Sequence, residues 1–329
     1  MNGHVRAIVT GSVVSLACAF VVIFIATASR GASSSATFRA TNGLLAYVGS
    51  VGPLSHQHSE IFTVQPDGSQ VQQLTHFGYG SGALWPDWSP DGRKIIFTRY
   101  WGEPVEPFAP RSVQILTMNA DGSAMRAVTS RGLDERASYL PDGRILYYRG
   151  SSHVWVVANP DATDIRSTAI HRPPWANSLC VLANGNRLAV RRSLKVHGPP
   201  RSALFVGRLF GGPARLKRIT PYQRMNGIDC SPDGTRILFS SPYPLGRTQK
   251  KSENVFSVRR DGSGLVQLTR SHGGSVHNSA LSWSPDGTKI VFIRYGHRIS
   301  QWSVMNADGT AVTQIAPGLA FGAAWGSHR

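Results

Sequence analysis

Four arginines in this chain have the spacing of an anion-binding ring. Each ends a short run of aliphatic and aromatic residues and comes just before a connection of variable length. Aligning those runs on their first aliphatic residue puts all four at one position. Guanidinium pairs bidentately with carboxylate and phosphate, so this predicts a site for anionic groups. Salt bridges or cation–π contacts with neighbours such as Tyr100, Tyr148 and Tyr295 are the alternative. The four are Arg99, Arg149, Arg192 and Arg294.

Histidines form a second candidate site, for a divalent metal. His56 and His58 make a His-x-His pair in one loop, while His272 and His277 lie near the other end of the chain. Histidines in such an arrangement can ligate zinc or manganese when the fold brings their loops together. Exposed loop histidines are also common in proteins without a bound metal, and both interpretations stay open.

A repeated strand–turn–strand pattern must position these side chains. Residues 88–97 read WSPDGRKIIF and residues 283–292 read WSPDGTKIVF. In Ser-Pro-Asp-Gly, proline sets one φ, the aspartate side chain bonds nearby backbone and glycine accepts a positive φ, so each copy predicts a hairpin. A second Asp-Gly turn closes another hairpin at Asp67, Asp121, Asp261 and Asp308. Four short antiparallel strands per repeat are one blade of a β-propeller.

The blades can be counted from their first turns. Five complete blades, numbered 2 to 6, run from Ala83 to about Ala316, with first turns at Asp91, Asp142, Asn184, Asp233 and Asp286. Residues 43–50, 61–66 and 71–75 supply three strands before them, and residues 321–325 supply one after them. Joined, these fragments make blade 1 and close the ring. We therefore predict an all-β, six-bladed β-propeller, closed by the C-terminal strand completing the N-terminal blade and preceded by one N-terminal apolar helix.

These repeats resemble the WD40-like (PD40) propeller repeat of the TolB family, over nearly all of the chain beyond residue 40. The motif is specific in blades 2, 5 and 6 and degraded in blade 4, where Leu-Ala-Asn-Gly and Gly211-Gly212 replace both acidic turns. We do not expect the α/β domain that precedes the propeller in TolB itself, so the resemblance does not imply a role in a Tol–Pal system. Related propellers include oligogalacturonate lyases, in which histidines hold a divalent metal and arginine helps to bind an acidic sugar.

The propeller geometry adds two candidate residues. Hairpin turns lie on one face of a propeller, and the remaining connections lie on the other, which we call the loop face. Functional groups concentrate in such connections on a rigid scaffold. Trp85 and Arg136 align at the entrance of the central channel on that face, where the other blades have Ser178, Gly227, Ala280 and Gly322. They either fill the channel or contact a peptide or sugar there.

The N-terminus predicts export. An uncharged apolar run occupies residues 7–28 after a short n-region at residues 1–6, and residues 29–41 form a flexible tether before a propeller at residues 42–329. The run is long enough for a transmembrane anchor, yet it ends in Ala26-Thr27-Ala28, which resembles a signal-peptidase site. Cleavage near Ala28 and retention as a membrane anchor both remain open. Either outcome puts the propeller outside the cytoplasm.

Composition favours an anionic partner. The net charge is +17, and residues 165–228 contain no Asp or Glu. Such a field attracts anionic polymers, lipid headgroups or acidic proteins, although it could also be a solvated basic surface. Beyond the apolar run, the cysteines are Cys180 and Cys230, at neighbouring rather than equivalent positions of adjacent inner strands. Their opposite parity predicts two buried free thiols instead of a disulfide.

Together these observations predict an extracytoplasmic, non-enzymatic binding scaffold. Its partner is an acidic protein, an envelope polymer or an acidic oligosaccharide, bound on the loop face. No cofactor and no nucleic acid are expected, and the propeller itself is expected to be monomeric. The alternative is a metal-dependent enzyme acting on acidic sugars through the histidines of blades 1 and 6.

Overall fold

The computed structural model describes residues 41–102, 112–168, 170–171, 177–183, 185–194, 201–210, 216–242, 252–272, 276–296, 299–317 and 320–328. These residues form six four-stranded antiparallel sheets and one short 3-10 turn, Leu54–His56. The segments expected at residues 1–6 and 7–28 lie outside the described residues, as does all but the last residue of the tether. Within the described ranges, no helix has the length and apolarity needed to cross a membrane.

Each sheet is one blade of the propeller. Blade 1 contains β1 (Thr41–Val51), β2 (His58–Val64) and β3 (Gln72–Gln73), and blade 2 contains β4 (Ser81–Trp88), β5 (Lys94–Trp101), β6 (Ser112–Asn119) and β7 (Arg126–Ala127). Blade 3 contains β8 (Asp134–Tyr139), β9 (Ile145–Arg149), β10 (Val154–Ala158) and β11 (Arg166–Ser167), and blade 4 contains β12 (Asn177–Val181), β13 (Arg187–Leu194), β14 (Arg201–Arg208) and β15 (Lys217–Arg218). Blade 5 contains β16 (Asn226–Cys230), β17 (Arg236–Pro242), β18 (Glu253–Arg259) and β19 (Val266–Gln267), and blade 6 contains β20 (Val276–Trp283), β21 (Lys289–Gly296), β22 (Ile299–Asn306) and β23 (Thr313–Pro317).

The last strand, β24 (Ala320–His328), closes the ring. It pairs antiparallel with β1, so blade 1 has the order β24-β1-β2-β3. Trp325 lies opposite Leu45, just as Trp88 lies opposite Ile95 in blade 2. The indole Nε1 of Trp325 donates to the carbonyl oxygen of Gly43 at 3.0 Å. The six-bladed fold and its closure by the C-terminal strand, both predicted from the sequence, are confirmed.

The hairpin turns follow the expected chemistry. In blade 6, Asp286 Oδ1 accepts hydrogen bonds from Ser284 Oγ at 2.6 Å and from the backbone N–H of Thr288 at 2.9 Å. Glycine follows with a φ of 75° at Gly287, a conformation that costs other residues free energy. The repeated Asp-Gly pairs are therefore structural turns on the face opposite the loop face.

The hydrophobic core lies between adjacent blades. Ile95 and Phe97 of β5 pack with Val48 of blade 1, whereas Ile96 packs on the other side with Tyr139 of blade 3. Both faces of the strand are thus buried, which explains its continuous apolar sequence. Full burial of one such side chain contributes about 1.5–3 kcal/mol. Six clusters of this kind, one at each junction between blades, hold the ring together.

Two buried aspartates join neighbouring blades near the channel. Asp87 of β4 accepts a hydrogen bond from the backbone N–H of Tyr139 at 2.9 Å, and Asp229 of β16 accepts one from Trp283 at 2.8 Å. Burial raises the pKa of Asp87 well above its ordinary value, and the negative charge of Asp229 adds to the rise. Each carboxylate therefore ties the inner strand of one blade to that of the next.

Cys180 and Cys230 form a disulfide, so the prediction of two free thiols was wrong. Their Cα atoms lie 5.6 Å apart, and both side chains belong to the cluster between blades 4 and 5. Opposite parity does not keep these two thiols apart, because their strands belong to different sheets. Adjacent blades pack through opposite faces, so residues of opposite parity on neighbouring inner strands point toward each other. Asp87 reaches Tyr139 by the same geometry, since Cys180 and Cys230 hold the corresponding positions.

The position of Trp325 at the ring closure predicts that replacing it strongly lowers the stability of the fold. We expect Trp325→Ala to lower the free energy of unfolding by about 3–5 kcal/mol, because it removes a buried indole where β24 meets β1. Urea unfolding followed by circular dichroism measures this. Tyr79→Ala, at a ring that is 55% exposed, is the control and should change stability little. Equal effects of the two substitutions would contradict the closure argument.

The disulfide predicts a redox-dependent stability. It joins residues separated by 50 positions, for which loop-closure entropy predicts a stabilisation of about 4 kcal/mol. We expect the urea midpoint of the wild type to fall when the protein is unfolded with a reductant present. The Cys180→Ala, Cys230→Ala double variant should be less stable and should not respond to reductant. A wild-type midpoint that is the same with and without reductant would show that the bond does not form.

Candidate functional site

The four aligned arginines lie at equivalent positions of their blades. Their second-strand to third-strand pairings are Arg99 with Gln114, Arg149 with Val154, Arg192 with Ala203 and Arg294 with Gln301. In blades 1 and 5 the same position holds Gly49 and Ser241. All of these residues are at or near the strand end that leads into the loop face. The register thus brings the four predicted arginines to one level of the ring.

Each arginine has a different environment. The Arg99 guanidinium lies 4.2 Å from the ring centre of Phe77 and 4.4 Å from that of Trp101. Arg192 lies 5.5 Å from the Phe205 ring centre. These cation–π contacts involve other rings than the tyrosines considered from the sequence.

The other two arginines have weak polar contacts. Arg149 Nη2 donates to the hydroxyl of Tyr147 at 3.4 Å. Arg294 Nε is buried without a hydrogen-bond partner in the described part of the chain. None of the four aligned arginines forms an ion pair with a described residue.

A buried glutamate positions the loop beside Arg99. Glu60 Oε1 accepts hydrogen bonds from the backbone N–H groups of Phe77 and Gly78, at 2.6 and 3.3 Å, and Oε2 accepts one from Thr75 Oγ1. These bonds fix the connection between blades 1 and 2 and hold the Phe77 ring against Arg99. Burial lowers the pKa of Arg99, the charge of Glu60 opposes this effect, and the charge of Arg131 reinforces it.

Trp85 and Arg136 contact each other at the channel entrance. The Arg136 guanidinium lies 4.0 Å from the Trp85 ring centre, across the junction of blades 2 and 3. Both residues have a positive φ, 53° for Trp85 and 57° for Arg136, at β-bulges where blades 5 and 1 carry Gly227 and Gly322. That conformation costs a large side chain about 1–3 kcal/mol. Blades 2 and 3 thus carry a large side chain in a strained conformation at a position where blades 1 and 5 have glycine.

Arg191 is a buried cation that the sequence alignment did not single out. It is 2% exposed, and its guanidinium donates to the hydroxyls of Ser178, Ser193 and Ser202 and to the carbonyl oxygen of Met225. Burial, reinforced by the charge of Arg136, lowers its pKa to about 10. The repeat alignment selects Arg192 and not Arg191. Side chains alternate along β13, so Arg191 lies on the opposite face of the strand, against blade 5.

The candidate metal-binding histidines have other contacts. His56 packs edge-on against Tyr79, with ring centres 4.5 Å apart, and His58 Nε2 lies 3.3 Å from Glu60 Oε1. His277 stacks on Tyr295 at 5.2 Å and accepts a hydrogen bond from the backbone N–H of Glu253. His272 is exposed. Among the described residues, no three His, Cys, Asp or Glu side chains are grouped closely enough to hold a metal.

Many of the acidic residues lie on the face opposite the loop face. Half of the 18 acidic residues are turn aspartates on the opposite face: Asp67, Asp91, Asp121, Asp142, Asp161, Asp233, Asp261, Asp286 and Asp308. Hydrogen bonds from Ser69 and Thr310 lower the pKa of Asp67 and Asp308, which keeps these carboxylates ionised within their turns. The four aligned arginines and the turn carboxylates thus lie on opposite faces.

Half-buried Asp134 and Glu135 lie near the channel entrance. Burial raises the pKa of Asp134, and the positive charge of Arg149 partly offsets the rise. Burial likewise raises the pKa of Glu135, opposed by Arg136, whose nearest guanidinium nitrogen is 3.9 Å from the Glu135 carboxylate. These two acids offset only part of the positive charge around them.

Comparison with known proteins identifies the fold. No protein-family model matches the chain. Dipeptidyl-peptidase 5 of Porphyromonas gingivalis is 33% identical over 70 residues, which is 21% of this chain and only 10% of the length of that protein. An oligogalacturonate lyase in complex with manganese superposes with a TM-score of 0.50 at 12% identity, covering 85% of this chain and 75% of that one.

TolB structures are also similar. TolB from Acinetobacter baumannii superposes with a TM-score of 0.66 at 17% identity, covering 87% of this chain and 67% of that one. A protein assigned as TolB from Agrobacterium tumefaciens superposes with a TM-score of 0.58 at 15% identity, covering 85% and 90%. Identities this low establish architecture and leave function to the site. The chain has the six-bladed fold of the TolB propellers.

Proposed function

We propose that this protein is an extracytoplasmic, non-enzymatic binding scaffold whose loop face holds an anionic partner. One observation carries the proposal: Arg99, Arg149, Arg192 and Arg294 occupy one strand-end position in four blades, and none forms an ion pair with a described residue. Guanidinium groups without carboxylate partners favour ligands that carry carboxylate or phosphate. An acidic protein, an envelope polymer or an acidic oligosaccharide would meet this requirement.

The distribution of charge supports the same proposal. The turn aspartates are committed to hydrogen bonds on the opposite face, and Glu60 and Glu253 are buried. Among the described residues, Glu60 acts on Arg99 and Asp134 acts on Arg149, but neither carboxylate forms an ion pair with an aligned arginine. The positive field of such arginines attracts anions and accelerates their association.

The disulfide supports a location outside the cytoplasm. Structural disulfides form and persist in oxidising compartments, and Cys180–Cys230 is buried in the core between two blades. The apolar run at residues 7–28 would deliver the propeller there, either as a membrane anchor or as a signal removed near Ala28. The propeller would then act as a monomer facing the exterior.

The proposed binding predicts a strong salt dependence. With poly-L-glutamate as the probe, we expect affinity to fall steeply as salt concentration rises, because the attraction between exposed charges is screened. Arg149→Gln with Arg192→Gln should weaken binding about tenfold, because two solvent-exposed ion pairs with the probe are lost. Fluorescence anisotropy of labelled probe measures both effects.

The control is the Arg93→Gln, Arg126→Gln variant, which removes two exposed arginines of blade 2 away from the loop face. It makes the same change in net charge and should weaken binding much less. Equal losses in the two variants would show that net charge alone attracts the probe. No binding by the wild type at low salt would overturn the proposed function itself.

Metal analysis separates this proposal from the enzymatic alternative. We expect the propeller, purified without a histidine tag, to contain no stoichiometric zinc or manganese, because His58 and His277 are engaged with Glu60 and with Tyr295 and Glu253. Elemental analysis by mass spectrometry measures the content. About one equivalent of metal, lost in the His56→Ala, His58→Ala variant, would favour a metal-dependent enzyme acting on acidic sugars.

A further inference from the structure

Four side chains on the loop face alternate as aromatic ring, cation, aromatic ring, cation. Arg99 contacts the rings of Phe77 and Trp101, and the Arg131 guanidinium lies 4.6 Å from the same Trp101 ring centre. We call Phe77, Arg99, Trp101 and Arg131 the arginine–aromatic stack. Phe77 lies in the connection from blade 1 to blade 2, Arg99 and Trp101 lie at the end of β5, and Arg131 lies in the connection from blade 2 to blade 3. The stack therefore lies on the loop-face end of blade 2 and includes both connections that flank this blade.

The two guanidinium groups are held before any ligand arrives. Arg99 Nε donates to Ser81 Oγ at 3.3 Å, and Arg131 Nε donates to Ser112 Oγ at 3.2 Å. Each arginine thus has its Nε committed to a serine and its plane resting on an aromatic ring. The terminal Nη groups form no hydrogen bond with a described residue. Preorganised donors of this kind lose less side-chain entropy on binding than free arginines do.

The stack brings two like charges together without a carboxylate between them. Both guanidinium groups lie within 4.6 Å of the Trp101 ring centre, so the two positive charges are close together. Burial lowers the pKa of Arg99, and the charge of Arg131 adds to this effect. Glu60 is fully buried, and its oxygens are occupied by Thr75, Phe77 and Gly78. The connection 103–111, which carries Glu103 and Glu106, lies outside the described residues. A ligand carboxylate that reached both guanidinium groups would relieve the repulsion between Arg99 and Arg131.

The stack distinguishes between classes of anion. Sugar recognition commonly uses an open aromatic face, and here the rings of Phe77 and Trp101 are already engaged by guanidinium groups. What remains for a ligand is the edge of each guanidinium plane, which suits bidentate pairing with a carboxylate. Two apolar side chains that are each 55% exposed, Tyr79 and Leu133, follow two residues after Phe77 and Arg131 in the same connections. Alternating carboxylates and apolar groups are the chemistry of an acidic peptide.

We propose that the arginine–aromatic stack is the docking site for an acidic peptide segment of a partner protein. Its carboxylates pair with the edges of Arg99 and Arg131, and its apolar side chains contact Tyr79 and Leu133. This inference rests on the proposed function and names the partner class: a protein segment rather than a glycan. The site lies beside the aligned ring and shares only Arg99 with it.

The test is titration calorimetry with a capped peptide of glutamate residues interspersed with leucines. The Arg99→Gln, Arg131→Gln variant should bind it about tenfold more weakly, because two solvent-exposed ion pairs with the peptide are lost. The Arg218→Gln, Arg259→Gln variant is the matched control, since Arg218 also stacks on an aromatic ring, Tyr222, at 5.1 Å. It should change affinity by about twofold or less, as expected for exposed charges away from the site. Thermal melts confirm that each variant is folded.

Two further arms test geometry and ligand class. Arg99→Lys with Arg131→Lys keeps the charge and loses the planar fork, so it should also weaken binding. Tyr79→Ala with Leu133→Ala should weaken binding of the leucine-containing peptide but not of a capped oligoglutamate. Full affinity in the lysine variant would overturn the bidentate site, and unchanged binding in the alanine variant would overturn the apolar contacts.

An oligogalacturonate of matched charge that binds the wild type more tightly than the peptide would overturn the choice of a protein partner. The outcomes also separate this inference from the proposed function. Peptide binding that falls in the Arg149→Gln, Arg192→Gln variant but survives loss of Arg99 and Arg131 would overturn only the stack. No binding of any anionic probe by the folded wild type would overturn both.

Discussion

Face-to-face packing of blades is the constraint on which the rest of this structure depends. Each sheet buries both of its faces, so the ring is stable only when every blade has a neighbour on each side. The chain satisfies this condition by pairing β24 with β1, which completes blade 1 and lets it pack against blades 2 and 6. Trp325 fills the closing position, with its Nε1 bonded to Gly43. Closure also makes blade 1 a four-stranded sheet like the other five blades.

The same packing decides which contacts can join blades. A side chain on one inner strand meets residues of opposite parity on the next, and three pairs use that geometry: Asp87 with Tyr139, Asp229 with Trp283, and Cys180 with Cys230. The disulfide supports blade 4, the blade whose turn motifs are most degraded. A covalent bond to blade 5 compensates there for turns that lack the usual acidic residues.

Local chemistry made the fold readable from the sequence. The Asp-Gly turns, the alternation of short strands and the recurring Trp88, Trp283 and Trp325 were sufficient to count six blades and to find the closing strand. The position of the aligned arginines was readable for the same reason, because the repeat carries its own register. Contacts between sheets were not predictable in the same way. Opposite parity keeps two side chains apart within one sheet, but Cys180 and Cys230 lie in different sheets that face each other.

The candidate site was only partly readable for a related reason. Arg99 could be named from its place in the repeat. The other members of its stack, Phe77, Trp101 and Arg131, lie in connections or at a strand end whose paths no repeat specifies. Arg191 could not be identified from the repeat, because the equivalent position in the other blades is that of its neighbour Arg192. Contacts across blades depend on three-dimensional packing, and the sequence of one blade does not contain that information.

The position of the turn aspartates, which are half of the acidic residues, follows from the turn chemistry. Each hairpin needs an aspartate to accept hydrogen bonds from its own turn, as Asp286 does from Ser284 and Thr288, so acidic residues collect on the turn face. The four aligned arginines lie at the other ends of the strands, and none of them forms an ion pair with a described residue. Because interaction between exposed charges falls off over about 10 Å at ordinary salt, carboxylates at the far ends of the strands do little to neutralise that face. The repeat that builds the scaffold therefore places its turn aspartates far from the four aligned arginines.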